Sequence, residues 1–268
     1  MDTSYEHIAP DNDINTRVNN FYSVCVDKFF KNPDKFRKWG LSLPKEPDPN
    51  GKWPGKRTKP LYEYDKEIHT ELILKVFSAY IDLRYNNVSW DSAETSFQEI
   101  DTFDKELYKG WLGNSIVNRG WIHKDTQSYN DNDLAFIIYM TPNADKDSGT
   151  SLFNLNSNNT NVSSMRKQHD KERIFKGEEI DEKEYEENIS KHESYFTEKT
   201  RFYNVYNRMI AYDSNEYHRA NNFVTNAEKR LTLIGFVKGI KIDEMPLQRV
   251  RSSEQWDNNL EKRIDKIW

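Results

Sequence analysis

The chain has 268 residues, and its 39 Lys and Arg against 44 Asp and Glu leave a net charge of −5. Only 35% of the residues are hydrophobic and 31% are charged, which leans towards disorder, yet 13% are aromatic, and disordered chains are poor in these core-building residues. A folded protein with a wide polar surface is expected, with no run near the ~20 apolar residues of a membrane span, and a single cysteine, Cys25, which excludes an intramolecular disulfide and any cysteine-based zinc or iron–sulfur site.

Met1 to Asp13 is polar and acidic, without the basic and apolar regions of a secretory signal, so a cytoplasmic location is expected. Asn20 to Phe30 mixes aromatic and β-branched residues and suits a strand. Asn32-Pro33-Asp34 then reads as a helix start, because Asn caps well, Pro suits the first turn and Asp suits the positive end of the dipole. That helix ends by Gly40, and a Pro-rich loop runs from Leu43 to Pro60. Asp65 to Tyr85 predicts a helix, since Leu72, Ile73, Val76, Phe77 and Tyr80 form one apolar stripe. Short β-like runs follow at Ser96–Phe103, Gly120–His123, Leu134–Met140, Thr150–Phe153, Arg201–Tyr212 and Arg230–Val237. Between them, Asn154 to Thr200 is rich in Asn and Ser and then dense in charge. It reads either as a lid or binding element or as a solvated, partly helical excursion. Met245 to Trp268 reads as partly helical and amphipathic. Many short strands separated by polar turns point to a mainly β sandwich or barrel.

Six histidines are present, and two of them flank β-like runs. In the extended segment Trp121-Ile122-His123-Lys124-Asp125, side chains two apart point the same way, so His123 and Asp125 can approach one metal together. A second histidine from a distant strand would complete a 2-His-1-carboxylate triad, which favours non-haem Fe(II) and leaves positions open. One His-x-Asp arises easily by chance in so acidic a chain. His69-Thr70-Glu71 is a similar pair, but on a helix residues two apart do not share a face. The order of features downstream adds weight: an apolar strand bearing Tyr139, a turn at Gly149, a strand and turn leading to His218, then Arg230 opening an apolar run. Arg230 and Thr232 share one face of that run. A buried Arg is expensive unless it meets an anion, and an Arg with a hydroxyl two residues on would clamp a small dicarboxylate. Trp53 and Arg57 are candidates for a pocket rim or a substrate anion, against the alternative of a rigid surface turn. Asn207 and Arg208 are candidates to brace the strand leading to His218. His169 and His192 are expected to be solvated, and His7 to lie in a loose terminus.

Across roughly Gly110 to Gly239 these features resemble the Fe(II)- and 2-oxoglutarate-dependent oxygenase superfamily, particularly its prolyl-hydroxylase-like branch. Phe29-Phe30-Lys31-Asn32-Pro33-Asp34 and Trp53-Pro54-Gly55-Lys56-Arg57-Thr58 are similar to an uncharacterised bacterial and phage family assigned to that superfamily. The chain departs from the branch in Met140-Thr141, in the single Gly149 of its turn, and in the long 154–200 segment.

The resemblance implies a mainly β fold with flanking helices: a double-stranded β-helix (jelly-roll) core with an N-terminal α/β support region. It implies one globular domain in which residues 1–109 pack on a core at 110–240, with an insertion at 154–200 and a helical extension at 241–268. His123, Asp125 and His218 would be the iron ligands. Arg230 would hold the far carboxylate of 2-oxoglutarate, helped by Thr232 and Tyr139. The activity implied is hydroxylation of a small molecule or protein side chain with O2, releasing succinate and CO2. The charge of −5 makes nucleic acid a less favoured substrate. The alternatives are an inactive metal- or ligand-binding module of the same fold, and a cupin-like metalloenzyme with no use for Arg230.

Overall fold

The computed structural model describes residues 21–100, 119–125, 132–156, 181–223 and 229–243. The expected helix at 245–268, His7 and His169 lie outside these residues. Among them the chain is mainly β, with three α-helices and antiparallel sheets. The strands are β1 (Val24–Val26), β2 (Glu46–Pro47), β3 (Lys56–Arg57), β4 (Val88–Ser89), β5 (Ser92–Ile100), β6 (Leu134–Tyr139), β7 (Thr150–Leu155), β8 (Phe196–Phe202), β9 (Met209–Asp213), β10 (Tyr217–Ala220), β11 (Arg230–Lys238) and β12 (Lys241–Ile242). The helices are α1 (Pro33–Ser42), α2 (Lys66–Phe77) and α3 (Glu182–Glu193).

Seven strands form one sheet in the order β1-β9-β6-β11-β5-β3-β2, three form a second in the order β10-β7-β8, and β12 pairs with β4. β6 and β11 are apolar on both faces because the large sheet is covered on both sides. One face carries Leu134, Phe136, Ile138, Met209, Leu231, Leu233 and Phe97. It packs against the stripe of α2 at Leu72, Ile73, Val76 and Phe77, where each fully buried side chain contributes roughly 1.5–3 kcal/mol. The other face carries Ala135, Tyr139, Ile210 and Tyr212, which cluster with Leu152 of β7 and Phe202 of β8 in the small sheet.

Helix α2 starts where the stripe predicts. Asp65 is its N-cap, accepting from the Ile68 N–H at 2.9 Å. It stops at Phe77, earlier than Tyr85, and Tyr80 and Ile81 still reach the core from the following turn. Asn32 precedes α1 without any side-chain cap bond. The Leu43–Pro60 loop is more ordered than its prolines suggest, since β2 and β3 inside it extend the large sheet along β5. The Arg201–Tyr212 run is two strands, β8 and β9, in different sheets. Asn207 lies between them at φ +62°, a left-handed conformation that Asn tolerates better than most residues. Its side chain accepts from Phe30 N and donates to Phe30 O, both at 2.8 Å. Arg208 pairs with Asp27 at 2.6 Å. Both residues therefore tie the N-terminal segment to the sheet.

Candidate metal centre

His218 lies in β10, a strand that its polar sequence does not announce. β10 pairs with β7, His218 standing opposite Leu152. On its other side His123 and His218 form an antiparallel bridge, with N–H to O distances of 3.0 and 2.9 Å. Asp125 is held two residues on by its N–H, which donates to Ser214 O at 3.1 Å. The backbone thus delivers both histidines and the carboxylate to one point.

The side chains converge there. His218 Nε2 is 3.4 Å from Asp125 Oδ2, and His123 Nε2 is 3.7 Å from Asp125 Oδ1. The ring centroids of the two histidines are 4.4 Å apart. One ligand atom from each residue lies within 4.8 Å of the others. Ligand atoms ~2.1 Å from one metal cannot be more than about 4.2 Å apart, so the two measured separations fit a shared cation.

The tautomers follow from the neighbours. His123 Nδ1 is 2.7 Å from Trp121 O, and His218 Nδ1 is 3.0 Å from Glu216 O. A carbonyl oxygen only accepts, so each Nδ1 carries the proton and each neutral ring has its Nε2 lone pair directed away from that bond. Metal-binding histidines are oriented in this way. Asp125 Oδ2 is buried without a hydrogen-bond partner among the described residues. Acceptors thus face one another, and a cation satisfies them together.

Thr232, Tyr139 and Arg230, also singled out in the sequence, lie on the neighbouring strands β11 and β6. Thr232 on β11 lies opposite Tyr139 on β6. The Tyr139 hydroxyl donates to Thr150 Oγ1 at 3.0 Å, across to the small sheet, and burial pushes its pKa up to about 12. Thr232 Oγ1 is buried with no hydrogen-bond partner among the described residues. Arg230 is 4% exposed; its Nε donates to Ser148 O at 3.3 Å, and it forms no ion pair among the described residues. Burial pulls its pKa down, opposed by the Tyr139 hydroxyl.

Two further groups shape the site. Tyr212 is fully buried with its ring 4.8 Å from that of His218. Burial raises its pKa, and the Asp125 charge adds to the effect. Strand alternation from Ile210 places it on this face, but nothing in the sequence ties it to His218. His192 is not solvated as expected: it is 1% exposed, with Nε2 2.9 Å from Ile122 O. Beside it, Trp121 Nε1 donates to the Tyr185 hydroxyl at 2.9 Å. Helix α3, from the charged 154–200 segment, thereby grips the segment that carries His123.

The sequence profile of a Family of unknown function (DUF6445) matches residues 16–233. The chain belongs to this family. No curated protein sequence matches this DUF6445 member. Solved structures similar to it are Fe(II)- and 2-oxoglutarate-dependent oxygenases and their relatives. HygX from Streptomyces hygroscopicus, with nickel and 2-oxoglutarate bound, is 12% identical, with 84% of this chain and 85% of that one covered and a TM-score of 0.45. The non-heme alpha ketoglutarate dependent epimerase SnoN from nogalamycin biosynthesis is 10% identical over 84% and 81%, with a TM-score of 0.47. A Pseudomonas putida prolyl-4-hydroxylase is 10% identical over 81% and 91%, with a TM-score of 0.40. No described helix is long and apolar enough to cross a membrane.

Proposed function

We propose that this chain is a cytoplasmic, non-haem Fe(II)- and 2-oxoglutarate-dependent dioxygenase on a double-stranded β-helix core. In this reading the large and small sheets are the two halves of the β-helix, and the whole chain is one domain. The observation that carries the proposal is the facing of acceptors: two imidazoles with Nδ1 protonated around a buried, unpartnered Asp125 oxygen.

His123, Asp125 and His218 would hold the metal. Two neutral imidazoles and one carboxylate leave a divalent ion with a net positive charge and open positions, the donor set suited to non-haem Fe(II). Arg230 would pair with the far carboxylate of 2-oxoglutarate, which supplies the anion this buried guanidinium lacks in the described structure. The unpartnered Thr232 hydroxyl would donate to the same carboxylate. Tyr139 would turn its hydroxyl from Thr150 towards that oxygen. Leu152, Ile210 and Phe202, which cluster with Tyr139 and Tyr212, would keep water from that end of the site. When bound, Fe(II) with 2-oxoglutarate and O2 supplies the oxidation, one oxygen atom passing to the substrate and the other to succinate as CO2 leaves. The substrate class is a small molecule or a protein side chain.

The test is anaerobic addition of Fe(II) and then 2-oxoglutarate, read as the weak visible charge-transfer band of the chelate. The wild type shows the band, His218→Ala abolishes it, and Arg230→Gln raises the 2-oxoglutarate concentration needed by at least ten-fold. Folded, iron-loaded protein that gives no band overturns the proposal.

A further inference from the structure

Arg230 has a counterpart two strands away. Gly51 and Gly55 adopt φ +69° and +72°, and they turn the Pro-rich loop so that Arg57 in β3 pairs with Gln98 in β5. Gln98 stands opposite Thr232, and Thr232 opposite Tyr139. Arg57, Gln98, Thr232 and Tyr139 therefore form one row across four strands, on the face that carries the groups assigned above to the cosubstrate.

Arg57 is poorly satisfied there. Its guanidinium lies over the Trp53 ring at 4.2 Å. Its one side-chain hydrogen bond among the described residues is long, Nη2 to Gln98 Oε1 at 3.5 Å. Its Nε is buried with no hydrogen-bond partner among the described residues, and so is Trp53 Nε1. Lys45 and Lys229 nearby both pair with Glu99, whereas Arg57 forms no ion pair among the described residues. Burial lowers its pKa to about 10, against the more distant charges of Glu94, Asp125 and Asp48. Gln98 is in turn fixed, its Nε2 donating to Pro54 O at 2.8 Å, so the row is built rather than loose.

We propose that Arg57, backed by Trp53 and Gln98, anchors a carboxylate borne by the substrate that is oxidised. This rests on the oxygenase reading and narrows its substrate to an organic acid or a peptide carrying one. The chemistry follows from the guanidinium. With one face covered by indole, it presents its in-plane edge, where Nε and an Nη donate side by side, the geometry of a planar carboxylate. Its single charge matches a monoanion. Arg230 takes the cosubstrate and Arg57 the substrate, so two acids bind without competing.

The probe is acetate, with acetamide as its neutral isostere. Protein labelled with 5-fluorotryptophan is titrated at constant ionic strength and read by 19F NMR at Trp53, assigned with Trp53→Phe. Both the metal-free protein and protein loaded with Zn(II) and saturated with 2-oxoglutarate are used. The expected result is a saturable Trp53 shift with acetate and none with acetamide. It persists in the loaded sample and in Arg230→Gln, and is weakened at least ten-fold by Arg57→Gln. Arg57→Lys keeps the charge without the fork and weakens it as well, which decides the matter should the Gln variant not fold. Absence of a saturable shift, an equal shift from acetamide, or a shift that survives both Arg57 variants overturns the proposal. A shift abolished by 2-oxoglutarate assigns Arg57 to the cosubstrate and overturns it too. Because the metal-free arm needs neither iron nor 2-oxoglutarate, failure of the oxygenase reading is seen separately, in the missing chelate band.

Discussion

Each imidazole of the triad, when neutral, donates its one proton to a backbone carbonyl, and the Asp125 oxygen nearest His218 has no hydrogen-bond donor among the described residues. Without a cation this arrangement opposes folding, because a buried unsatisfied group costs ~1–3 kcal/mol. Asp125→Asn should therefore separate stability from binding. The amide can donate to His218 Nε2, 3.4 Å away in the native geometry, so the metal-free variant melts higher than metal-free wild type. Each kcal/mol relieved raises the midpoint by about 2–4 °C in a chain of this size. Saturating Mn(II) then stabilises the wild type and leaves the variant unmoved. Thermal melts with and without Mn(II) read both effects; a variant that melts lower without metal and still responds to Mn(II) sinks this account. That His123, Asp125 and His218 come together was legible in part: His-x-Asp in an extended segment puts two side chains on one side, and the resemblance in the order of features downstream pointed to His218. The packing of Tyr212 on His218 was not, since it depends on how β9 and β10 meet.

Legibility at the scale of elements followed burial. β6 and β11 carry apolar residues on both faces, and α2 has a full stripe, so their sequences announce them. β8 and β10 do not: in Phe196–Phe202 and Tyr217–Ala220, pairing to β7 overrides a polar composition. β2 and β3 are two residues each and hide among prolines. Helix α3 falls in the segment read either as a lid or binding element or as a solvated, partly helical excursion; most of its Lys and Glu are exposed, yet Tyr185 and Ile189 are buried along with His192. These three, with Trp121 and Phe196, make α3 a clamp on the segment that carries His123. His192→Leu keeps the bulk and leaves the Ile122 carbonyl without this donor. The expected result is a loss of ~1–3 kcal/mol in stability and a drop in metal affinity within the ~10–100-fold seen for supporting residues around a metal. Denaturant melts and Mn(II) titration measure the two. Unchanged metal affinity in a destabilised variant would confine α3 to packing.

The large sheet joins residues far apart in the chain. β5 pairs with β11 along its whole length, from Ser92 against Lys238 to Ile100 against Arg230. β1 closes the opposite edge on β9, where the Asn207 side chain holds the backbone of Phe30 at both ends. The helical cover of the outer face, α1 and α2, also comes from the N-terminal segment. Removing that segment would strip β11 of one partner strand and expose Leu231, Leu233, Phe136 and Ile138 together. An exposed apolar face with an open sheet edge favours association over folding. A fragment of residues 110–268 should therefore be insoluble or lack a cooperative melt, while the full chain unfolds in one transition with coincident far-UV and tryptophan signals. Circular dichroism and fluorescence on both proteins make the comparison. A soluble fragment with its own sharp transition, or two separated transitions in the full chain, would show that the N-terminal segment is a removable support. Neither is expected where the strand that carries Thr232 pairs along its entire length with one from the other end of the chain.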